Sequence, residues 1–123
     1  MSQRIEAVAE NCATIANKLD LVATDKIEIW RIKAMQMKIK QASVLLKENQ
    51  KSIWIRTKKG KEVVEQIQKS SSIIDDLIKQ ITSEKEHKRF QSLFQDLENQ
   101  ITTLENYSKI IMKEIRDRAM SIT

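Results

Sequence analysis

The sequence contains no proline and one glycine, Gly60, in 123 residues. Average usage would give about six prolines and about nine glycines in a chain of this length. These two residues are the main signals for turns, and both are unfavourable in the interior of regular elements. A chain with almost none of them is therefore expected to run in long helices.

The spacing of the apolar residues also indicates helices. They recur at alternating steps of three and four, which is the helical period. The first segment shows the pattern without a gap, at Ile5, Val8, Cys12, Ile15, Leu19 and Val22. We predict an all-α fold: one domain, an antiparallel bundle of three to four helices with coiled-coil-like heptad seams. The predicted helical segments are 2–22, 25–59, 61–82 and 84–120.

The segment boundaries rest on local signals. Asp25, with Glu28 three residues on, resembles a capping box, and Ser83 with Glu86 matches the S-x-x-E form of that motif. Gly60 follows two lysines, as expected after a helix C-terminus, and is the favoured end of the second segment. An earlier end at 48–50 is the alternative.

The second segment has two apolar faces, and a helix of that kind must be covered on both sides. One face contains Met35, Ile39, Ala42, Leu46 and Ile53. The other contains Trp30, Ala34, Met37, Val44 and Ile55. Either this helix is central in its own bundle, or its second face meets a partner or a second copy. We predict the second case: a homo-oligomer or an obligate complex with a partner protein. We predict that four residues anchor such an interface: Trp30, Met37, Val44 and Ile55.

Basic charge is concentrated in the same part of the chain, since residues 26–61 carry eleven lysines and arginines against two acids. In a continuous helix, six lysines would form one row: Lys26, Lys33, Lys40, Lys47, Lys51 and Lys58. This face could be solvated beside acidic segments of the same chain, dock an acidic protein, or contact nucleic-acid phosphates or an anionic membrane. The candidate polyanion site, with a tryptophan for stacking, comprises Lys51, Trp54, Arg56, Lys58, Lys59 and Lys61.

Catalytic and metal-binding signals are weak. Cys12 and His87 could in principle pair as a nucleophile and base, but Cys12 occupies a seam position and His87 a first turn that we expect to be exposed. One histidine and one cysteine do not supply the usual zinc ligands, and a single glycine excludes glycine-rich phosphate loops. We predict no enzyme activity, cofactor, metal or small-molecule substrate.

The sequence also bears on location. Cys12 is the only cysteine, the N-terminus does not resemble a secretory signal, and no apolar run approaches the ~18 residues of a membrane span. These features favour a cytoplasmic or nuclear protein. The predicted function is a non-catalytic protein–protein interaction or assembly module acting through helix packing. The alternative is a small basic protein that binds nucleic acid or another polyanion through 26–61.

Overall fold

The computed structural model describes residues 2–22 and 27–122, which form helices joined by short links. Helix makes up 91% of the structure, with no strand in the described ranges, which confirms the predicted all-α class. The elements are α1 (Ser2–Lys18) with a 3-10 turn (Leu19–Val22), α2 (Ile29–Glu48), α3 (Ile53–Arg56), α4 (Lys58–Ser83) and α5 (His87–Ile122).

Two pairs of helices form antiparallel hairpins, as predicted: α1 with α2, and α4 with α5. In the first hairpin, Ser43 Oγ on α2 donates to the carbonyl oxygen of Ala9 on α1 at 2.7 Å. Gln36 Nε2 donates to the Ala16 carbonyl oxygen at 2.9 Å, so the α2 residue number falls as the α1 number rises. The short link 84–86 makes α4 and α5 the second hairpin.

The two hairpins pack side by side so that α1 runs parallel to α4 and α2 runs parallel to α5. The sequence did not indicate this arrangement. Arg4 and Lys18 on α1 pair with Glu65 and Asp75 on α4, both at 2.9 Å, so these helices run in the same direction. Arg31 and Lys38 on α2 pair in the same order with Glu98 and Glu105 on α5. The bundle is therefore a ring in which α1 and α5 lie diagonally opposite, and the connection through α3 crosses from α2 to α4.

The core is aliphatic and lies where the helical period predicts it. The six seam positions of the first segment, from Ile5 to Val22, are all buried. On α5, a row with the same three- and four-residue spacing is buried: Phe94, Leu97, Ile101, Leu104, Ser108 and Ile111. Full burial of a large aliphatic side chain contributes about 1.5–3 kcal/mol, so these rows supply the main driving force for packing.

The second predicted segment is not one helix. It ends at Glu48, where the Asn49 backbone N–H and side-chain Nδ2 both donate to the Leu45 carbonyl oxygen, at 3.1 and 2.8 Å. A turn follows, closed by the Ser52 N–H on the Asn49 carbonyl oxygen at 2.9 Å. The alternative end at 48–50 is correct, and a continuous helix over 25–59 is wrong. Residues 25 and 26, including the cap predicted at Asp25, lie outside the described residues.

Gly60 does not end a helix, contrary to the prediction. It lies in the first turn of α4, where its N–H donates to the side-chain oxygen of the N-cap residue Thr57 at 3.1 Å. A Cβ atom on Gly60 would lie 2.2 Å from the Trp54 carbonyl oxygen and 2.8 Å from Ile55 Cα. Glycine is needed here because α3 crosses α4 at backbone contact.

The predicted capping box at Ser83 does not form either. Ser83 is the last residue of α4, and its hydroxyl donates to the carbonyl oxygens of Lys79 and Gln80. Instead, the Glu84 carboxylate accepts the Glu86 N–H at 3.0 Å in the link, and α5 begins at His87. The predicted start at residue 84 is therefore three residues too early.

Candidate interaction surface on helix α2

The outer side of α2 carries a row of exposed apolar side chains. Trp30, Met37 and Val44 are exposed by 65%, 61% and 51%, respectively. They are seven residues apart, which is close to two helical turns, so they share one face. Met35 and Ile39, on the face predicted to be the first apolar side, are buried in the bundle. The bundle covers one apolar face of α2 and leaves the other open.

Met37 and Val44 of this row line an open groove of about 630 Å³ between α2 and the C-terminal part of α5, and Trp30 lies outside its lining. Its apolar lining comes from Met37, Val44, Leu45 and Met112. Its polar lining comes from Lys33, Gln36, Lys40, Gln41 and Glu48. Two flexible methionine side chains, both at least half exposed, give the groove an adaptable apolar surface.

The basic residues of α2 divide into two sets. Arg31 and Lys38 face α5 and pair with acids there, and Arg31 also lies over the Phe94 ring at 4.8 Å. For Arg31 and Lys38, the structure agrees with the possibility that basic residues of this segment complement acidic residues of the same chain. The second set is exposed, follows each apolar residue of the row by three positions, and has no ion pair within the described ranges: Lys33, Lys40 and Lys47.

Ile55, the fourth predicted anchor, does not lie on this surface. It belongs to α3 and is 1% exposed, because the turn at 49–52 breaks the phase that would have continued the α2 face. Ile53, predicted for the covered face, is instead 78% exposed. The same break ends the predicted lysine row after Lys47, and its first member, Lys26, lies outside the described residues.

The predicted polyanion site is only partly assembled. Its basic members are all exposed and carry no ion pair in the described structure: Lys51, Arg56, Lys58, Lys59 and Lys61. Trp54, however, is 3% exposed and packs in the core, so its ring has no face available for stacking on a base. The prediction of a stacking tryptophan is wrong.

Cys12 and His87 do not make a reactive pair. Cys12 is fully buried, and the loss of hydration raises the pKa of its thiol from 9.0 to about 12, so it stays protonated at neutral pH. His87 is exposed at the start of α5. Within the described ranges, histidine, cysteine and carboxylate side chains do not gather in groups of three that could hold a metal ion.

The buried thiol predicts a pH effect on stability. The native thiol keeps its proton up to a pKa of about 12, whereas the unfolded thiol ionises near 9.0. Rising pH therefore favours the unfolded state, and by pH 10 the wild type should have lost about 1 kcal/mol more unfolding free energy than Cys12→Ala has. Urea unfolding of both proteins at pH 8 and pH 10 measures the difference.

Cys12→Ala serves as the control because every other titratable group is common to both proteins. At pH 7 the substitution itself should cost about 1 kcal/mol or somewhat more, since it removes buried volume. Equal losses at high pH, or rapid labelling of the native thiol, would contradict the placement of Cys12 in the core.

The fold and its surfaces define an all-α helical bundle with an open apolar and basic face. No family model, curated protein or solved structure matches this chain. None of the helices in the described part is both long and apolar enough to cross a membrane. The surfaces described above are therefore the basis for proposing a function.

Proposed function

We propose that the protein is a non-catalytic interaction module that binds an acidic amphipathic helix of a partner protein along α2. The observation that carries this proposal is the exposed row of Trp30, Met37 and Val44 beside a groove. Exposed apolar side chains that share one face and are bordered by polar or charged residues mark protein interaction sites. Tryptophan is also the residue most enriched among binding hot spots.

A helix is the partner element that this surface fits best. The apolar residues repeat every seven positions, as they do on a helix that packs against another helix. Met112 on α5 forms the far side of the groove, so a partner helix would rest between α2 and α5. Its apolar face would then meet two helices, as in helix-in-groove recognition.

Charge favours an acidic partner over a second copy of the chain. Lys33, Lys40 and Lys47 flank the apolar row and lack ion pairs in the described part of the molecule. Two copies meeting through α2 would bring these lysines together, and like charges across an interface oppose association. A helix with glutamate or aspartate beside its apolar face would neutralise them. These lysines therefore favour a complex with a partner protein over a homo-oligomer.

A tryptophan titration tests the proposal. Trp54→Phe leaves Trp30 as the only tryptophan, so its emission reports on the α2 surface; circular dichroism checks that the variant is folded. The probe is a synthetic heptad peptide with leucine at positions a and d and glutamate at e and g. We expect a saturable blue shift of Trp30 emission, because binding removes its ring from water.

The matched control peptide carries lysine in place of each glutamate. We expect it to bind at least about tenfold more weakly at low salt, and the difference should shrink as salt is added. Unchanged Trp30 emission with both peptides would contradict the interaction surface. Equal affinity for both would contradict the acidic partner.

One observation still supports the polyanion alternative: the five basic residues of 51–61 are exposed and have no ion pair within the described part of the chain. Its test is binding to single-stranded and duplex nucleic acid as a function of salt. Nanomolar binding at physiological salt, lost when Lys58, Lys59 and Lys61 become Gln, would favour this alternative. Weak binding that the triple variant leaves unchanged would exclude it.

A further inference from the structure

A second cavity lies at the end of the bundle where the N-terminal part of α1, the turn after α2, α3 and the start of α4 meet. Its volume is about 410 Å³, within the range of roughly 300–1,000 Å³ that is usual for small-molecule sites. Its apolar walls are Ile5, Ile55 and Val64. Its polar rim is formed by Arg4, Gln50, Arg56 and Lys61.

The rim is positively charged and only partly neutralised. Arg4 pairs with Glu65 at 2.9 Å, and both side chains are largely exposed. Arg56 and Lys61 are exposed and have no ion pair among the described residues. Two cationic groups are thus available beside an apolar wall, an arrangement that suits a ligand with an anionic head and an apolar body.

The start of α4 supports an anion at this place independently. The first turn carries Lys58, Lys59 and Lys61 and contains no acid. The N-terminus of a helix is its positive end, which favours acidic side chains and disfavours lysines. Departures of this kind from local preference are expected at functional sites, where a ligand compensates for them. An anion bound at Lys61, the lysine of this turn that lines the cavity, would offset that lysine's charge at the positive end of the helix.

We infer that this cavity binds a small amphipathic anion, a carboxylate with an apolar chain. The carboxylate would pair with Arg56 and Lys61, and the chain would lie against Ile5, Ile55 and Val64. The sequence did not predict a small-molecule ligand, and the inference is independent of partner binding through α2. The apolar walls favour a ligand with an apolar chain over a bare phosphate group.

Decanoate is the probe, followed by methyl NMR of the full chain labelled at isoleucine, valine and methionine. We expect saturable shifts of the Ile5, Ile55 and Val64 methyl signals below the micelle concentration of decanoate. Decyltrimethylammonium, which has the same chain and the opposite charge, should bind at least tenfold more weakly. Inorganic phosphate should leave these methyl signals unchanged.

Two single variants test the head-group contacts. Arg56→Gln and Lys61→Gln should each weaken decanoate binding fivefold or more, and Gln keeps most of the side-chain length. Lys59→Gln is the matched control, because Lys59 lies in the same turn, is exposed and does not line the cavity. It should change the affinity less than twofold.

Several results would overturn the inference. One is a set of decanoate shifts confined to Met37 and Met112, which would place the ligand in the α2 groove. Others are equal binding of the cationic amphiphile or unchanged affinity in Arg56→Gln and Lys61→Gln. Binding to anionic phospholipid vesicles, with no methyl shifts from free decanoate, would assign the rim to a lipid surface instead. None of these results depends on whether the acidic peptide binds α2.

Discussion

Gly60→Ala is expected to lower the free energy of unfolding by about 3 kcal/mol, at the upper end of the usual range for overpacking. The added methyl group would lie 2.2 Å from the Trp54 carbonyl oxygen and 2.8 Å from Ile55 Cα. Both contacts are with backbone, so α3 would have to move away from α4. Urea unfolding followed by circular dichroism measures the change.

The direction of the change in stability shows whether Gly60 lies against the backbone of α3 or in an ordinary exposed helix. Glycine to alanine inside an ordinary exposed helix stabilises it by about 1 kcal/mol. The control is Lys59→Ala at the preceding position, which is exposed and should shift stability by no more than about 0.5 kcal/mol. A Gly60→Ala protein as stable as the wild type, or more stable, would show that α3 does not cross α4 at this distance.

Met37→Glu is expected to weaken binding of the acidic heptad peptide at least about 100-fold, or about 2.7 kcal/mol. Met37 lies in the middle of the apolar row and lines the groove, so a carboxylate there would be desolvated and repelled by the peptide. Stability should change little, because the native side chain is mostly exposed. The Trp30 emission titration in the Trp54→Phe background measures the affinity.

Ile73→Glu provides the control for Met37→Glu. Ile73 is also an exposed aliphatic residue, 44% accessible, but it lies on α4 outside the groove. This substitution should change the affinity for the peptide by no more than about twofold, since it only adds a negative charge away from the α2 groove. Similar losses in the two variants would mean that the peptide responds to overall charge and does not contact the α2 row.

Much of the fold was predictable because one physical signal determines it. Residues such as Cys12, Leu19 and Leu97 recur at the helical period, and the same positions are buried. The period says which face of a helix is covered and nothing about which helix covers it. The parallel pairing of α1 with α4 therefore became visible only from contacts such as that between Lys18 and Asp75.

The helix ends after residue 48 were harder to predict, for two physical reasons. Asn49 ends α2 by bonding back to Leu45, a local contact that needs neither glycine nor proline. Gly60 then gave a misleading signal, because two lysines before a glycine are typical of a helix C-terminus. Its actual role, to admit the backbone of α3, depends on tertiary packing.

The residues of the candidate sites also fall into those that the sequence could predict and those that depend on tertiary packing. Trp30, Met37 and Val44 could be found from the sequence because all three lie on one continuous helix. Ile55 was misassigned because the break at 49–52 shifts its phase. The rim of the second cavity combines Arg4 with Lys61, which are distant in sequence and meet only because α1 and α4 run parallel. No local pattern could have joined them.

The location of a bound partner helix is the most direct test of the α2 surface. The measurement is NMR of the protein labelled at methionine methyl groups, with an acidic heptad peptide that carries a nitroxide spin label. We predict strong broadening of Met37 and Met112, which line the groove, and little change at Met35, which is buried on the other side of α2. Unbroadened Met37 and Met112 signals at saturating peptide would contradict the proposed interaction surface.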